Sequence, residues 1–288
     1  MTSTGTTKTD SEDHPPATPL RTVHIDTSLQ IEQQKVPAQA DRVRVALAKY
    51  AFRSTSSYAR KEFKRAWLMD MNLIYKVSNG CKNIAEVYTK IHSSLWNPHA
   101  KRRLQRCLDA IRTFFNDLPG GTPTSVQVIR LRTHLAEAIL TGFIAWERSV
   151  THEFDGTRCI RAKERPARAA NGAIDVVVRE CRPTKIQCAV HTFFSEHQDD
   201  FRKIQLSIHR ETAPSTELQR TASVIEAANK NPTILCDSKK CSAMSDALIA
   251  VDGIKMDHFA ANNPREWKTI SAALNKPLIN PVAPPEEL

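Results

Sequence analysis

Near the carboxyl-terminal end, a helix, a strand and another helix follow one another with short connections, and this order constrains the fold more than any other feature. The run SDALIA begins a helix whose first turn contains Asp246, and HFAANN is typical of a short strand that ends in two amides. PREW then begins a helix with Pro264 in the first turn, where the missing N–H costs nothing. This alternation predicts an α/β fold with a parallel sheet, whose binding crevice lies at the carboxyl ends of the strands.

A second strand is predicted near the start of the chain, in the segment RTVHIDTSLQ. Val23 and Ile25 alternate with polar residues, which is the period of a strand, and β-branched residues favour extended backbone. The strand should end at Asp26, which two small hydroxyl residues follow. Taken alone, the segment favours a helix cap, because Asp, Thr and Ser accept hydrogen bonds from the free amides of a following helix. In a parallel sheet, however, Asp26 would lie at the crevice.

Composition limits the classes of protein to which the chain can belong. It has 288 residues and a formal net charge of +10, which favours one elaborated domain and makes nucleic acid a plausible partner. No run of about 20 apolar residues is present, and the first residues lack the apolar core of a signal peptide. Seven scattered cysteines favour a reducing compartment. We therefore expect a cytoplasmic protein without a membrane partner.

The pattern along the chain predicts three parts. Residues 1–20 are polar and rich in turn formers, which indicates a flexible leader, and the proline-rich residues 277–288 indicate an extended tail. Between them, residues 21–276 should form one domain, with a helical and β insertion at about 84–230. Within that insertion, Asn171-Gly172 suits the turn of a hairpin.

Helical periodicity dominates the middle of the chain. Phe63, Trp67, Met71 and Ile74 lie on one helical face, so this helix should pack on a core. The later run TSVQVIRLRTHLAEAILTGFIAWERSV is apolar on nearly all sides, which predicts a buried helix.

Four motifs, in order, resemble the PIN-domain family of metal-dependent ribonucleases. They are HIDTS, the glutamate in SYARKEFKRAW, SDALIA and ANNPREW. The resemblance covers about the first and last fifths of the chain. It implies a PIN-like α/β/α sandwich with a central parallel sheet and an enlarged helical middle. It also implies that Asp26, Glu62, Asp246 and Asn263 form the catalytic site, with the three carboxylates as ligands of Mg²⁺ or Mn²⁺.

The chemistry of RNA cleavage explains why such residues would gather. Phosphodiester hydrolysis needs an activated water and stabilisation of charge on the leaving oxygen, and divalent ions supply both. Mg²⁺ and Mn²⁺ prefer oxygen ligands. Three clustered carboxylates without a cation should repel one another, so we expect raised pKa values in the metal-free protein.

The chain departs from the family pattern after the last strand. Many members carry another acidic residue where this chain has Asn262 and Asn263. Glu266 is a further candidate, although it also suits the dipole at the start of its helix. The resemblance places Thr27 and Ser28 near the metal or the scissile phosphate, and capping explains them equally well. Two further acids, Asp237 and Asp252, are assigned loop and surface roles.

The cysteines offer a second metal hypothesis. Cys181, Cys188, Cys236 and Cys241 could supply four thiolates for a structural zinc ion. The second pair lies at the limit of the usual C-x₂₋₄-C spacing, and the first pair exceeds it. Buried free thiols are the more common explanation, because cysteine packs as a small hydrophobe.

Basic clusters complete the functional prediction. Lys101, Arg102 and Arg103 are expected to contact RNA phosphates, although a solvated helix face is the usual explanation for such a run. The predicted function is a divalent-metal-dependent endoribonuclease, with a toxin-type enzyme that has an antitoxin-like protein partner as one form. The alternative is a catalytically weakened PIN-like module that binds RNA or protein.

Overall fold

The computed structural model describes residues 21–35, 37–95, 100–116, 122–170, 172–176 and 188–282. The predicted leader and the last six residues of the predicted tail lie outside them. Seven strands are described: β1 (Thr22–Ile25), β2 (Phe52–Ser56), β3 (His152–Phe154), β4 (Ala167–Arg168), β5 (Ile174–Asp175), β6 (His258–Ala260) and β7 (Leu278–Ile279). Five form a parallel sheet in the order β3-β2-β1-β6-β7, which confirms the α/β class and the central parallel sheet.

Helices surround this sheet. They are α1 (Thr27–Lys35), α2 (Pro37–Ala48), α3 (Ser57–Phe63), α4 (Met69–Val77), α5 (Ile84–Ser94), α6 (Lys101–Asn116), α7 (Thr124–Ser149), α8 (Val190–Glu196), α9 (Gln198–Arg210), α10 (Thr216–Lys230), α11 (Ser238–Ala243), α12 (Ser245–Asp252) and α13 (Pro264–Ala273). None of the helices in the described part of the chain is long and apolar enough to cross a membrane.

The buried apolar side chains form three clusters. One lies among α8 to α13 and includes Phe194, Phe201 and Trp267. A second lies among α4 to α7 and includes Trp146. A smaller third cluster joins β1 to α2. The sheet therefore has its own support on both sides, and the helical middle of the chain builds a separate core around α7.

A π-helical turn, Lys64–Leu68, separates α3 from α4. In it the N–H of Met69 donates to the carbonyl oxygen of Lys64, five residues earlier, instead of four. The helix predicted around Phe63, Trp67, Met71 and Ile74 is thus present, with this wide turn in its middle. Phe63, Met71 and Ile74 pack in the second cluster, as their spacing predicted.

The predicted hairpin is confirmed, because β4 and β5 pair in antiparallel fashion and Gly172 has a φ of +77°. The prediction of a fully buried helix was wrong for α7. Val128, Leu131 and Trp146 face the core, but Ile129 is 65% exposed and Ile144 is 45% exposed. The exposed face of α7 also carries apolar residues, so the sequence does not distinguish it from the buried face.

Two short strands lie in segments for which the sequence did not predict them. β3 lies within the predicted insertion at about 84–230 and pairs with β2 in the central sheet. Leu278 and Ile279 lie in the predicted extended tail and form β7, which pairs with β6. Both strands are only two or three residues long, so neither shows a period in the sequence.

Candidate active site

The four predicted catalytic residues come from separate elements that meet at the carboxyl edge of the sheet. Asp26 follows β1, Glu62 lies on α3 just after β2, and Asn263 lies between β6 and α13. Asp246 lies in the first turn of α12. All four side chains line one cleft of about 640 Å³. The cleft lies where the strand order reverses, because β2 and β6 flank β1, and such switch points are the usual binding sites of open α/β sheets.

The two carboxylate oxygens of Asp26 have different surroundings. Its Oδ2 accepts hydrogen bonds from the backbone N–H of Ser28, at 2.9 Å, and from the Ser28 hydroxyl, so one oxygen caps α1. Its Oδ1 is buried and has no hydrogen-bond partner within the described residues. Burial raises the pKa of Asp26, and the hydrogen bonds from Ser28 oppose that rise. The carboxylate is therefore fixed by one oxygen and unsatisfied at the other.

Hydroxyl groups hold the carboxylates in position. The Thr27 hydroxyl contacts Oε2 of Glu62 at 3.3 Å, and Ser28 Oγ accepts from the backbone N–H of Asn262 at 2.9 Å. Asn262 thus joins the end of β6 to Asp26 through Ser28. Thr27 and Ser28 therefore link three of the chain segments that form the cleft.

Glu62 and Asp246 lie in strongly unfavourable surroundings for a negative charge. Burial raises the pKa of Glu62, the charge of Asp26 raises it further, and Lys61 opposes the rise. Burial also raises the pKa of Asp246 well above its usual value, and the charges of Asp26, Glu62 and Glu266 add to this. The carboxylates are therefore close enough to repel one another.

Glu266 does not line the cleft, but its charge acts on Asp246. It is buried, at 8% exposure, and its Oε1 accepts a hydrogen bond from the Ser215 hydroxyl at 3.1 Å. The two excluded acids lie elsewhere. Asp237 caps α11 through Lys239 and Lys240, and Asp252 accepts from the backbone N–H of Gly156.

The donor chemistry of the cleft fits Mg²⁺ or Mn²⁺, because it offers several carboxylate oxygens and one of them is buried without a partner. Across the described ranges, however, no three His, Cys, Asp or Glu side chains are already arranged around a common point that could hold a metal ion. A bound ion would therefore require the side chains to close on it, and it would relieve their mutual repulsion.

Three arginines form a basic rim around this acidic floor. Arg65, Arg103 and Arg106 all line the cleft. The Nε atoms of Arg103 and Arg106 each donate to a different oxygen of Asp70 at 2.7 Å, and Asp70 is 1% exposed. Arg65 donates to the Ser242 hydroxyl at 2.7 Å. Nη2 of Arg103 also donates to the carbonyl oxygen of Met69 at 3.3 Å. Since over a third of the side chains of Arg103 and Arg106 stays exposed, each keeps N–H groups that suit phosphate oxygens.

The predicted RNA-binding run is only partly in this rim. Arg103 lines the cleft, Lys101 is exposed on α6 outside the cleft lining, and the side chain of Arg102 lies outside the described set. Arg106 lines the cleft beside Arg103, because residues three apart share one face of a helix.

The four cysteines of the zinc hypothesis do not form a site within the described residues. Cys181 lies outside them, and Cys188, Cys236 and Cys241 are free thiols. Burial raises the pKa of Cys188 to about 12, and the other two thiols add to the rise, which places the three near one another. Cys241 packs against the Tyr58 hydroxyl at 3.1 Å. Cys241 is buried in the first apolar cluster, Cys188 packs against that cluster, and Cys236 is half-buried outside it. Zinc binding stays a prediction.

No protein-family model matches the chain, and no curated protein or solved structure matches it either. The cleft combines an acidic floor, a basic rim and a position at the switch point of the sheet. Carboxylates of this kind can bind a cation, and guanidinium groups can bind an anion.

Proposed function

We propose that the protein is a divalent-metal-dependent endoribonuclease with a PIN-like α/β/α fold. The observation that carries the proposal is the meeting of Asp26, Glu62 and Asp246 in one cleft, from positions far apart in the chain. A purely structural cluster would pair these charges, but burial raises all three pKa values, and repulsion adds to the rise for Glu62 and Asp246. Perturbed carboxylates in a cleft are typical of functional sites.

Some residues of the cleft would hold the cation, and others would contact the RNA. Asp26, Glu62 and Asp246 would hold Mg²⁺ or Mn²⁺. The bound ion supplies an activated water and neutralises charge on the leaving oxygen. Asn263 offers a neutral amide that can orient a water or a phosphate oxygen at the same edge. Many members of the PIN-domain family carry an acidic residue where this chain has Asn262 and Asn263. This edge of the cleft therefore has fewer negative charges than theirs, which favours one metal ion over two.

The basic rim gives the cleft its substrate class. Arg65, Arg103 and Arg106 can each donate hydrogen bonds to phosphate oxygens, and Arg is well suited to this geometry. An acidic floor alone would repel a nucleic acid. With a cation on the floor and guanidinium groups at the rim, the same cleft attracts a phosphodiester backbone.

The alternative is a PIN-like module that binds RNA or a protein without cleaving it. One observation favours this alternative, namely that the described residues contain no ready-made metal-binding group. A toxin-type role with an antitoxin-like protein partner is a narrower form of the enzyme proposal, since inhibition by a partner has meaning only where cleavage occurs.

Cleavage of single-stranded RNA tests the proposal. Purified full-length protein should cleave RNA of mixed sequence when Mn²⁺ or Mg²⁺ is present, and EDTA should stop the reaction. Asp26→Asn keeps the side-chain shape and removes one charge. It should lower the rate by at least about 100-fold, since even the partners that orient metal ligands are worth about 10- to 100-fold.

Asp257→Asn is the matched control, because Asp257 is an exposed acid that does not line the cleft, and this variant should cleave at the wild-type rate. RNA binding by Asp26→Asn should survive, because the arginines are unchanged. Cleavage by Asp26→Asn at the wild-type rate would reject the mechanism. Tight binding without cleavage by the wild type, for several RNAs and with both metals, would favour the binding module.

A further inference from the structure

A second cavity of about 580 Å³ lies beside the cleft, and Arg106 lines both. It opens between α1, the π-helical turn, α4, α6 and α7. The proposed catalytic mechanism makes no use of it. Its volume falls within the range of about 300–1,000 Å³ that is typical of small-ligand pockets.

The lining of this cavity combines apolar side chains with hydrogen-bonding groups. Trp67, Met71 and Phe114 contribute the apolar part, and all three are largely buried. Trp67 is 8% exposed, and its Nε1–H has no acceptor in the described part of the chain. Asp109 and Glu137 contribute carboxylates. A ligand here would contact these apolar side chains and could accept the hydrogen bond from Trp67.

We propose that this cavity, the base pocket, binds the nucleobase of a nucleotide whose phosphate contacts Arg106. The proposal deepens the proposed function, because it rests on RNA as the substrate and assigns a position to one of its bases. The nucleotide would bridge the two sites, with its phosphate at the arginine rim and its base among Trp67, Met71 and Phe114.

The charges of the pocket favour this orientation over the reverse. Asp109 and Glu137 repel a phosphate, whereas the side chain of Arg106, held at its Nε by Asp70, attracts one. Carboxylates accept hydrogen bonds from the amino groups of guanine, adenine and cytosine and from the ring N–H of uracil. The carboxylates therefore favour a base over a phosphate in this pocket.

Stacking on aromatic side chains gives the binding energy for this arrangement. Base stacking on an aromatic ring in proteins that bind single strands is substantial and tolerates every base. A base in the pocket would also fix the register of the RNA, so that one chosen phosphate faces the acidic floor. The base pocket thereby predicts cleavage next to a preferred nucleotide.

Binding of nucleoside 5′-monophosphates, measured by calorimetry in EDTA, tests the pocket without any cleavage. Ala138 lines the pocket on α7, and Ala138→Leu should fill part of it and weaken the binding of AMP, GMP and CMP by about 10-fold. Ala145→Leu is the matched control, because Ala145 lies two turns further along α7 and borders a separate cavity. This variant should bind as the wild type does. Thermal melts of both variants establish that they fold.

Ribose 5-phosphate serves as the probe that lacks a base, and it should bind at least about 10-fold more weakly than AMP. An RNA 8-mer of mixed sequence should bind Ala138→Leu about 10-fold more weakly than it binds the wild type. AMP should compete with this RNA for the wild type, and the competition should disappear in Ala138→Leu. Equal binding of ribose 5-phosphate and AMP would overturn the proposal, as would equal binding of AMP by folded Ala138→Leu and wild type. AMP binding that Ala138→Leu weakens without any change for the RNA would show a free-nucleotide site and would overturn the assignment to RNA.

These outcomes are separable from the failure of the proposed nuclease. A protein that binds AMP and RNA through the pocket but never cleaves would retain the base pocket and lose the enzyme. A protein that cleaves RNA in a metal-dependent way but binds AMP no better than ribose 5-phosphate would retain the enzyme and lose the pocket.

Discussion

Two buried aspartates near the cleft have similar exposure and opposite electrostatic surroundings. Asp70 is 1% exposed, and each of its oxygens accepts a hydrogen bond from an arginine. Asp26 is 3% exposed, one oxygen caps α1, and the other has no partner among the described residues. Burial alone therefore does not reveal what an acid does. The pairing of the second oxygen separates Asp70, which holds two arginines of the rim, from Asp26, which keeps an unpaired oxygen in the cleft.

Asp70→Asn should give the largest change in stability. The substitution removes the charge that both arginines face, and we expect a loss of about 2–3 kcal/mol in the free energy of unfolding, because two charge-assisted hydrogen bonds weaken. The arginines stay over a third exposed, which limits the loss. Urea denaturation measures it. A loss below about 0.5 kcal/mol would mean that Asp70 does not hold the rim.

Asp252 is a buried acid outside the cleft, and it shows how much such a group lowers the free energy of unfolding when one of its oxygens is unpaired. Its pKa is raised to about 7, chiefly by burial, and its Oδ2 has no partner within the described residues. Because the folded pKa exceeds the unfolded value of 3.8, this group stabilises the fold fully below pH 3.8, and the stabilisation is lost as the pH rises through about 7. Between pH 5 and pH 7.5 the wild type should lose about 2–3 kcal/mol relative to Asp252→Asn.

Asp257→Asn is the control for that measurement, because the pKa of Asp257 is shifted in the opposite direction to that of Asp252. Hydrogen bonds from Thr22 lower the pKa of Asp257, so its contribution is present above the unfolded value and lost as the pH falls. Stability curves from urea denaturation at several pH values compare the three proteins. Parallel curves for wild type and Asp252→Asn would contradict the assignment.

Asp26→Asn should give the smallest change, and its sign is opposite to that of Asp70→Asn. In EDTA the substitution removes a buried charge that burial disfavours, so the variant should gain up to about 1 kcal/mol in stability. Paired urea denaturation curves of Asp26→Asn and Asp70→Asn measure the contrast. A destabilised Asp26→Asn protein would make the cap of α1 the main role of this side chain.

The sequence predicted the acidic floor better than anything else in the molecule. Asp26, Asp246 and Asn263 each stand next to a strand or at the start of a helix, and such positions meet at one edge of a parallel sheet. The strand before Glu62 was missed, because FRSTS has no apolar alternation. Its Ser54 and Thr55 are fully buried and are satisfied by His24 and by the carbonyl oxygen of Ile25.

The rim and the base pocket could not be predicted in the same way. Their residues come from helices whose packing the sequence does not specify, and Trp67 and Phe114 have the spacing of ordinary core residues. Only the structure shows that α4, α6 and α7 leave a gap between them. A pattern along one helix reports which face is apolar, and it does not report whether the neighbouring helix fills that face.

The π-helical turn brings one extra residue into the segment between Glu62 and Asp70 without turning its two flanking helices away from each other. The wide turn at Lys64–Leu68 holds one more residue than a regular turn, so Met69 takes the position that the fourth residue after Lys64 takes in a regular helix. Removal of one residue here should leave a continuous α-helix in which Asp70 and Met71 keep nearly the same orientation relative to Glu62. Removal of a second residue, which no wide turn would absorb, would rotate the rim and the base pocket by about 100° relative to the acidic floor. The π-helical turn is therefore the place where this segment tolerates a change of length.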